Sequence, residues 1–254
     1  KYASRYVGQT PTTQRRIRRA MFTDAEAVTH EGTRRAIVTS NLPFWDKTRA
    51  WILARPLSGF AETFSQYIVE VSAGGGSQKP DTDGEAQTVI FVVEGGATLT
   101  IEGEAHTLST GSYAYIPVDT HWTFKNDTDV ACRFHWIRKA YEWVDGIDAP
   151  PVLVTNDADV APDDMPGTDG AWGTWRFDDP ADMRHDMAVT IVTFQPGGVI
   201  PFLETHVMEH GLYVLEGKAV YNLNNDWVEV EAGDFMWLRA FCPQACYTGG
   251  PGQF

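Results

Sequence analysis

The sequence predicts an all-β chain made of two tandem, jelly-roll-like β-barrels. Three observations carry this. Short runs rich in β-branched and aromatic residues recur at close spacing, punctuated by Gly, Pro, Asp and Asn. No long stretch shows a 3.6-residue apolar period. The chain also matches itself when slid by 122 positions, so one β unit occurs twice. Short strands at such spacing close into antiparallel sandwiches or barrels.

Residues 1–50 form an N-terminal segment of mixed composition. Its run Gln14–Arg19 (QRRIRR) holds four arginines. The run reads as a solvated basic segment, with an anion or a neighbouring subunit as its functional alternative. Residues 51–144 form the first barrel, with predicted strands at Phe64–Ser72, Thr88–Val93, Ala97–Ile101 and Tyr113–Ile116. Residues 145–185 form a connector: between Asp145 and Met183 lie five prolines and many aspartates. Residues 186–254 form the second barrel. Its predicted strands are Ala188–Phe194, Leu212–Leu215, Ala219–Leu223, Trp227–Val230 and Phe235–Leu238.

The repeat fixes the register between the two units. Phe91–Gly95 (FVVEG) falls on Tyr213–Gly217 (YVLEG), Thr107–Tyr113 falls on Glu229–Phe235, and Gly76 falls on Gly198. The match needs no gap from Gly76 through Asn126. Three glycines in register with matched apolar alternation point to duplication rather than chance.

Composition narrows the function. With 254 residues and 43% hydrophobic content the chain has material for a packed core, which excludes global disorder. A net charge of −14 argues against nucleic acid as a partner. No window reaches the ~18 apolar residues of a membrane helix, so no membrane partner is expected. Three cysteines (Cys132, Cys242, Cys246) read as reduced thiols and favour the cytoplasm. No signal peptide is visible, and the first residue is Lys1 rather than Met, so the chain is expected to begin inside a longer gene product.

The second unit carries the chemistry. It reads Gly198-x5-Glu204-x-His206-x3-His210-x6-Gly217, then Gly233-x5-Arg239-x-Phe241-x2-Gln244. Glu204 and His206 are two apart, which on a strand puts both on one face; His210 shares that parity and would begin the next strand. These spacings resemble the two motifs of the cupin superfamily, whose usual ligands are three histidines and one glutamate. Here Glu204 stands at the first His position, His206 keeps the second, His210 takes the Glu position and Gln244 the last His position. Every substituted position still bears a metal-binding group. One carboxylate, two imidazoles and an amide oxygen suit Mn(II), Fe(II) or another divalent transition metal better than a thiolate-preferring one. The first unit serves as a control: Thr82, Gly84, Thr88 and Trp122 stand at the same offsets and offer no strong ligand. His121 has the opposite parity and reads as structural.

The inverted order Glu-x-His-x3-His with Gln is narrower than the superfamily pattern. Glu204–Gly217 (ETHVMEHGLYVLEG), Val220–Trp227 (VYNLNNDW) and Ala240–Gly249 resemble (S)-ureidoglycine aminohydrolase, a bicupin family of purine (allantoin) catabolism. The resemblance extends weakly through the first barrel, as in Phe60–Gly76. It implies Mn(II) on Glu204, His206, His210 and Gln244. It also implies replacement of the α-amino group of (S)-ureidoglycine by hydroxyl, with release of ammonia, and a homo-oligomer. A family tyrosine that faces the substrate maps onto Tyr221; a barrel-core role is its alternative. Glu204 or a nearby base would manage the proton as ammonia leaves. Cys242 and Cys246 flank Gln244 and read as buried, inert thiols. The family also uses a Tyr and a Lys on its last strand. The chain stops ten residues after Gln244, so the final strand is expected to be incomplete and those groups are not assigned. Two other readings stand beside this one: a metal-dependent cupin dioxygenase, since two His and one carboxylate suit Fe(II), and a non-catalytic binding or storage cupin.

Overall fold

The structure is a computed structural model describing residues 21–35, 42–56, 61, 63–81 and 83–254. The arginine run Gln14–Arg19 lies outside these residues. Strands β1 (Met21–Phe22) and β2 (Glu26–Thr29) precede a short helix, α1 (Glu31–Arg35). The first barrel follows with β3 (Trp45–Ala54), β4 (Phe64–Ser77), β5 (Ala86–Glu94), β6 (Gly96–Ile101) and β7 (Glu104–Ser109). It is completed by β8 (Ser112–Ile116), β9 (Trp122–Lys125), β10 (Cys132–Ala140) and β11 (Leu153–Asn156). These nine strands form one antiparallel sheet, ordered β11-β8-β5-β10-β4-β9-β6-β7, with β3 also on β4.

The second barrel is assembled from smaller sheets. Strands β12 (Asp163–Asp164), β13 (Trp172–Arg176) and β14 (Thr190–Phe194) form one. Strand β15 (His210–Tyr213) pairs with β18 (Phe235–Leu238). Between them run β16 (Lys218–Leu223) and β17 (Asp226–Glu231), and β16 also pairs with β19 (Gln244–Thr248). Most predicted strands form, extended by a few residues. The additions come from segments without clear alternation. In the N-terminal segment, β2 pairs with β18. From the connector, β11 pairs with β8 and β13 with β14. A strand that caps an edge needs hydrogen bonds more than an alternating pattern, so its sequence says little.

Burial patterns show how the barrels meet. Strand β6 alternates strictly, with Ala97, Leu99 and Ile101 buried and its other face half-wet. By contrast β8 and β18 are buried at every position, and β5 through its centre. The two faces of these strands serve different cores. Ile90, Val92, Ala114 and Ile116 fill the first barrel, while Val89, Phe91, Tyr113 and Tyr115 join Phe235 and Trp237 in a second cluster between the barrels. Met236 and Leu238 point the other way, into the second barrel with Val28, Tyr221, Leu223 and Cys246. Burying large side chains on both faces contributes roughly 1.5–3 kcal/mol per residue before entropy is counted, which makes this shared wall the main bond between the units. Glu209 adds a polar tie just before β15. It accepts from the Thr63 amide (2.8 Å) and hydroxyl (2.6 Å) and from the Trp237 indole.

The 122-residue repeat is present in the backbone geometry. Phe91 pairs with Tyr113 as Tyr213 pairs with Phe235, and Ile101 pairs with Trp122 as Leu223 pairs with Gln244. Gly111 N donates to Val92 O, and Gly233 N to Val214 O, each at 2.8 Å. Positive φ recurs at Gly95 and Gly217 (79° and 75°) and at Asp119 and Phe241 (56° and 63°). A side chain on Gly95 would strike the carbonyl of Ala131, and one on Gly217 that of Gln253.

Candidate functional site

The second barrel gathers the predicted ligands at one end. Glu204 and His206 do not lie on a regular strand, as parity had suggested. They lie on an irregular extended segment pinned to β19 at intervals: Ile200 N donates to Cys246 O at 2.8 Å, and Glu204 N donates to Gln244 O and Gln244 N to Glu204 O, both at 2.9 Å. A further tie, from Phe241 N to His206 O at 2.7 Å, fixes the next turn. Alternation survives without the strand. Leu203, Thr205 and Val207 are exposed while Glu204 and His206 turn inward to partial burial. His210 opens β15, opposite Leu238.

Side-chain distances show how far the set has closed. Glu204 Oε1 lies 3.5 Å from His206 Nε2, and the His206 and His210 rings are 5.0 Å apart. Gln244 faces the interior, 5% exposed, and its amide oxygen has no hydrogen-bond partner. Among the described residues no three His, Cys, Asp or Glu side chains are drawn together tightly enough to enclose an ion. The structure therefore brings Glu204 to His206 and His206 beside His210, with Gln244 alongside, without a closed coordination sphere. The donor set still fits a divalent cation. A buried amide oxygen left unpaired costs about 1–3 kcal/mol, and a cation is a partner that removes this cost. Burial, then the neighbouring His206, depresses the His210 pKa and favours the neutral imidazole that a metal requires.

Tyr221 lies on β16 opposite Cys246, deep in the barrel core and 6.1 Å from the Phe254 ring. Its hydroxyl shares a hydrogen bond with the Cys246 thiol. Burial, aided by that thiol, holds the phenol neutral, well above its ordinary range. The Glu204 carboxylate acts electrostatically on both groups, so they face one interior. Burial pushes the Cys242 and Cys246 thiols up to about 11, which keeps them protonated and unreactive near neutral pH. The Tyr221–Cys246 pair carries no sequence signal, because it depends on which residues of β16 and β19 stand opposite.

The first barrel shows what the same frame does without the ligands. Thr82 lies outside the described residues. Gly84 O accepts from Asp119 N at 3.1 Å, as His206 O does from Phe241 N, and Thr88 pairs with Ile116 as His210 pairs with Leu238. The strand pairing slips by one residue here, since Gly76 pairs with Lys125 but Val199, not Gly198, pairs with Tyr247. Just before Gly84, Asp81 N lies 3.4 Å from Trp122 O. The Asp81 carboxylate is engaged by Arg138 at 3.3 Å. His121 is exposed and reaches Glu102 at 3.4 Å.

Comparison with known proteins agrees with this architecture. A family model described as a Cupin domain matches residues 67–138 and 190–251, one stretch in each barrel. The (S)-ureidoglycine aminohydrolase of Escherichia coli K12 is 31% identical over 85% of this chain and 81% of that protein. The Arabidopsis thaliana protein of the same name is 31% identical over 82% of this chain and 66% of its own length. A crystal structure from Pseudomonas aeruginosa, named for a glyoxylate-induced protein, superposes with a TM-score of 0.87 at 64% identity. It covers 93% of this chain and 87% of that one. Two cupin segments and relatives of one name across most of the sequence place it: the chain belongs to the (S)-ureidoglycine aminohydrolase family of two-barrel cupins.

Proposed function

We propose that this chain hydrolyses (S)-ureidoglycine to (S)-ureidoglycolate and ammonia, as a step of purine (allantoin) breakdown in the cytoplasm. A divalent cation, Mn(II) by preference, would be held by Glu204, His206, His210 and Gln244. The named relatives support the choice of substrate. The observation that carries the cation is the buried, unpartnered amide oxygen of Gln244 beside a carboxylate and two imidazoles.

When bound, such an ion supplies a Lewis acid for a carbon bearing both a carboxylate and an amine. The chain's own residues do the rest. Glu204, 3.5 Å from His206, or a nearby base would take a proton from the incoming water and return it to the departing amine. One C–N bond breaks, one C–O bond forms, and ammonia leaves. Tyr221, neutral and fixed by Cys246, offers a hydroxyl toward the ureido or carboxylate group. Its restraint is an ordering cost met before the substrate arrives. In this reading the working protein is a homo-oligomer.

The test is ammonia release from freshly prepared ureidoglycine, measured against its spontaneous decay. The expected result is release well above background that is lost on chelation and restored by Mn(II). A protein loaded with Mn(II) that leaves the background rate unchanged would refute the reading. Oxygen uptake with a catechol would move it to the dioxygenase class.

A further inference from the structure

The first barrel contains a cavity of about 330 Å³ at the end equivalent to the candidate site, in the size range of small-molecule pockets. Three indoles form its base. Trp122 meets Trp136 edge-on at 5.5 Å, and Trp45 lies 5.8 Å from Trp136 and 6.1 Å from Trp122. Its rim carries Arg55, Lys79 and Arg138 against one lining carboxylate, Asp81. Lys79 sits over the Phe44 ring at 3.6 Å. Asp81 (3.3 Å) and Asp83 (2.7 Å) both take the same terminal nitrogen of Arg138, Nη2.

Two buried donors in this wall are left over. Arg138 Nε and the Trp136 indole N–H have no hydrogen-bond partner, and Trp136 is only 6% exposed. The Arg138 guanidinium also lies 5.1 Å from the centre of the Trp136 ring, so the two donors are neighbours. Each such donor costs free energy until an acceptor reaches it.

We propose that the first barrel binds a small, planar organic carboxylate. Its carboxylate would accept from Arg138 Nε and Trp136 Nε1, and its flat body would lie against the indoles of Trp45 and Trp122. Lys79 offsets part of the repulsion from Asp81 and Asp83. This site is independent of the reaction assigned to the second barrel. The frame that offers donors to a cation there offers N–H groups and cations to an anion here.

Benzoate is the probe, titrated by calorimetry and by quenching of tryptophan fluorescence, with benzamide as the neutral match. One benzoate per chain is expected to bind saturably and at least tenfold more tightly than benzamide. Arg138→Gln should weaken benzoate about tenfold or more, since a charge-assisted bond is lost. Trp136→Phe keeps a ring, removes the N–H, and should weaken it by roughly three- to tenfold. Lys79→Gln, at the exposed rim, should weaken it by a few-fold and less at high salt. Should Arg138→Gln lose its cooperative thermal transition, the other two variants decide. Equal affinity for benzamide, unchanged binding in Trp136→Phe and Lys79→Gln, or no saturable binding of benzoate would overturn the proposal.

Discussion

The two barrels share a frame and differ in what fills it. Both carry positive-φ glycines 122 positions apart, and the same strand pairings close around them. Where the first barrel has Trp122, the second has Gln244. Where the first has Gly84 and Thr88, the second has His206 and His210. Trp122 is 4% exposed and packs on two other indoles, so its position contributes to the core. Gln244 is as deeply buried and its oxygen is unpartnered, so its position costs stability. Backbone turns and glycines keep the fold, while a handful of inward side chains decide between packing and chemistry. A duplicated fold can therefore lose a site in one copy and gain core packing there.

The comparison is broken most strongly by copying the first barrel into the second. His206→Gly installs the residue of Gly84. The wild-type chain should hold one equivalent of divalent metal, and this variant almost none, by elemental analysis after dialysis. Ammonia release should fall about 10³-fold or more, as a Lewis acid supplying several kcal/mol is lost. Two dialysis-resistant equivalents in the wild type would show that the first barrel also binds, against the reading of Gly84, Thr88 and Trp122.

Gln244→Ala is the milder form. It keeps the carboxylate and both imidazoles and removes only the amide oxygen. Metal affinity should drop by roughly 10–100-fold, the scale of losing supporting contacts at such centres. The buried oxygen disappears with it, so the melting temperature of the metal-free protein should hold or rise. Full metal content together with full ammonia release in this variant would remove Gln244 from the ligand set.

Two glycine substitutions probe the frame itself. Gly95→Ala and Gly217→Ala each place a methyl at positive φ and against a carbonyl, in equivalent positions of the two barrels. Each should cost roughly 1–3 kcal/mol of unfolding free energy. A cost in only one barrel, read by denaturant titration, would show that the repeat is not equivalent in the folded state.

Tyr221→Phe separates substrate contact from packing. The ring and its burial remain, the hydroxyl and its bond to Cys246 go, and stability should fall by about 0.5–1.5 kcal/mol. Metal content should be unchanged, with turnover down about tenfold if the lost hydrogen bond serves the transition state. Unchanged turnover would leave Tyr221 as a core residue alone.

Much of this was legible in the sequence, and the gaps have physical reasons. The repeat and the ligand order could be read because glycines at positive φ and metal donors admit few substitutes. The strand character of β6 could be read because one of its faces is wet. The doubly buried β8 and β18 lack alternation but could still be read from their aromatic and aliphatic content, whereas β2, β11 and β13 are strands only because an edge of the barrel sheets accepts them. The one-residue difference in pairing at Gly76 and Val199 was hidden because the spacing of glycines along the chain does not say which residue stands opposite. The cavity in the first barrel has no motif. Its donors come from Trp136 and Arg138 on β10, and its indoles from β3, β9 and β10, which only pairing brings together.

The smallest expected effect lies on the outside of the first barrel. Glu70 on β4 receives Arg49 from β3 at 2.6 Å and Arg133 from β10 at 2.9 Å, so one carboxylate ties three strands. By strand pairing, Phe194 with Phe254 as Val71 with Cys132, the equivalent position in the second barrel is Thr193, which has no charge to offer. Burial alone would raise the Glu70 pKa, but the hydrogen bonds from Arg133 and Arg49 outweigh it and hold the carboxylate below its ordinary value of 4.5. A carboxylate depressed on folding stabilises the folded state above the unfolded-state pKa, and that stabilisation is lost as pH falls through the folded value. Both arginines are largely exposed and screened by water, so Glu70→Gln should cost only about 0.2–1 kcal/mol at pH 7. The gap between variant and wild type should be constant above pH ~5, narrow as the pH falls below 4.5, and shrink in high salt. A gap that persists unchanged at pH 3 would mean that Glu70 acts through its shape and neutral hydrogen bonds, and that the three-strand tie is not electrostatic.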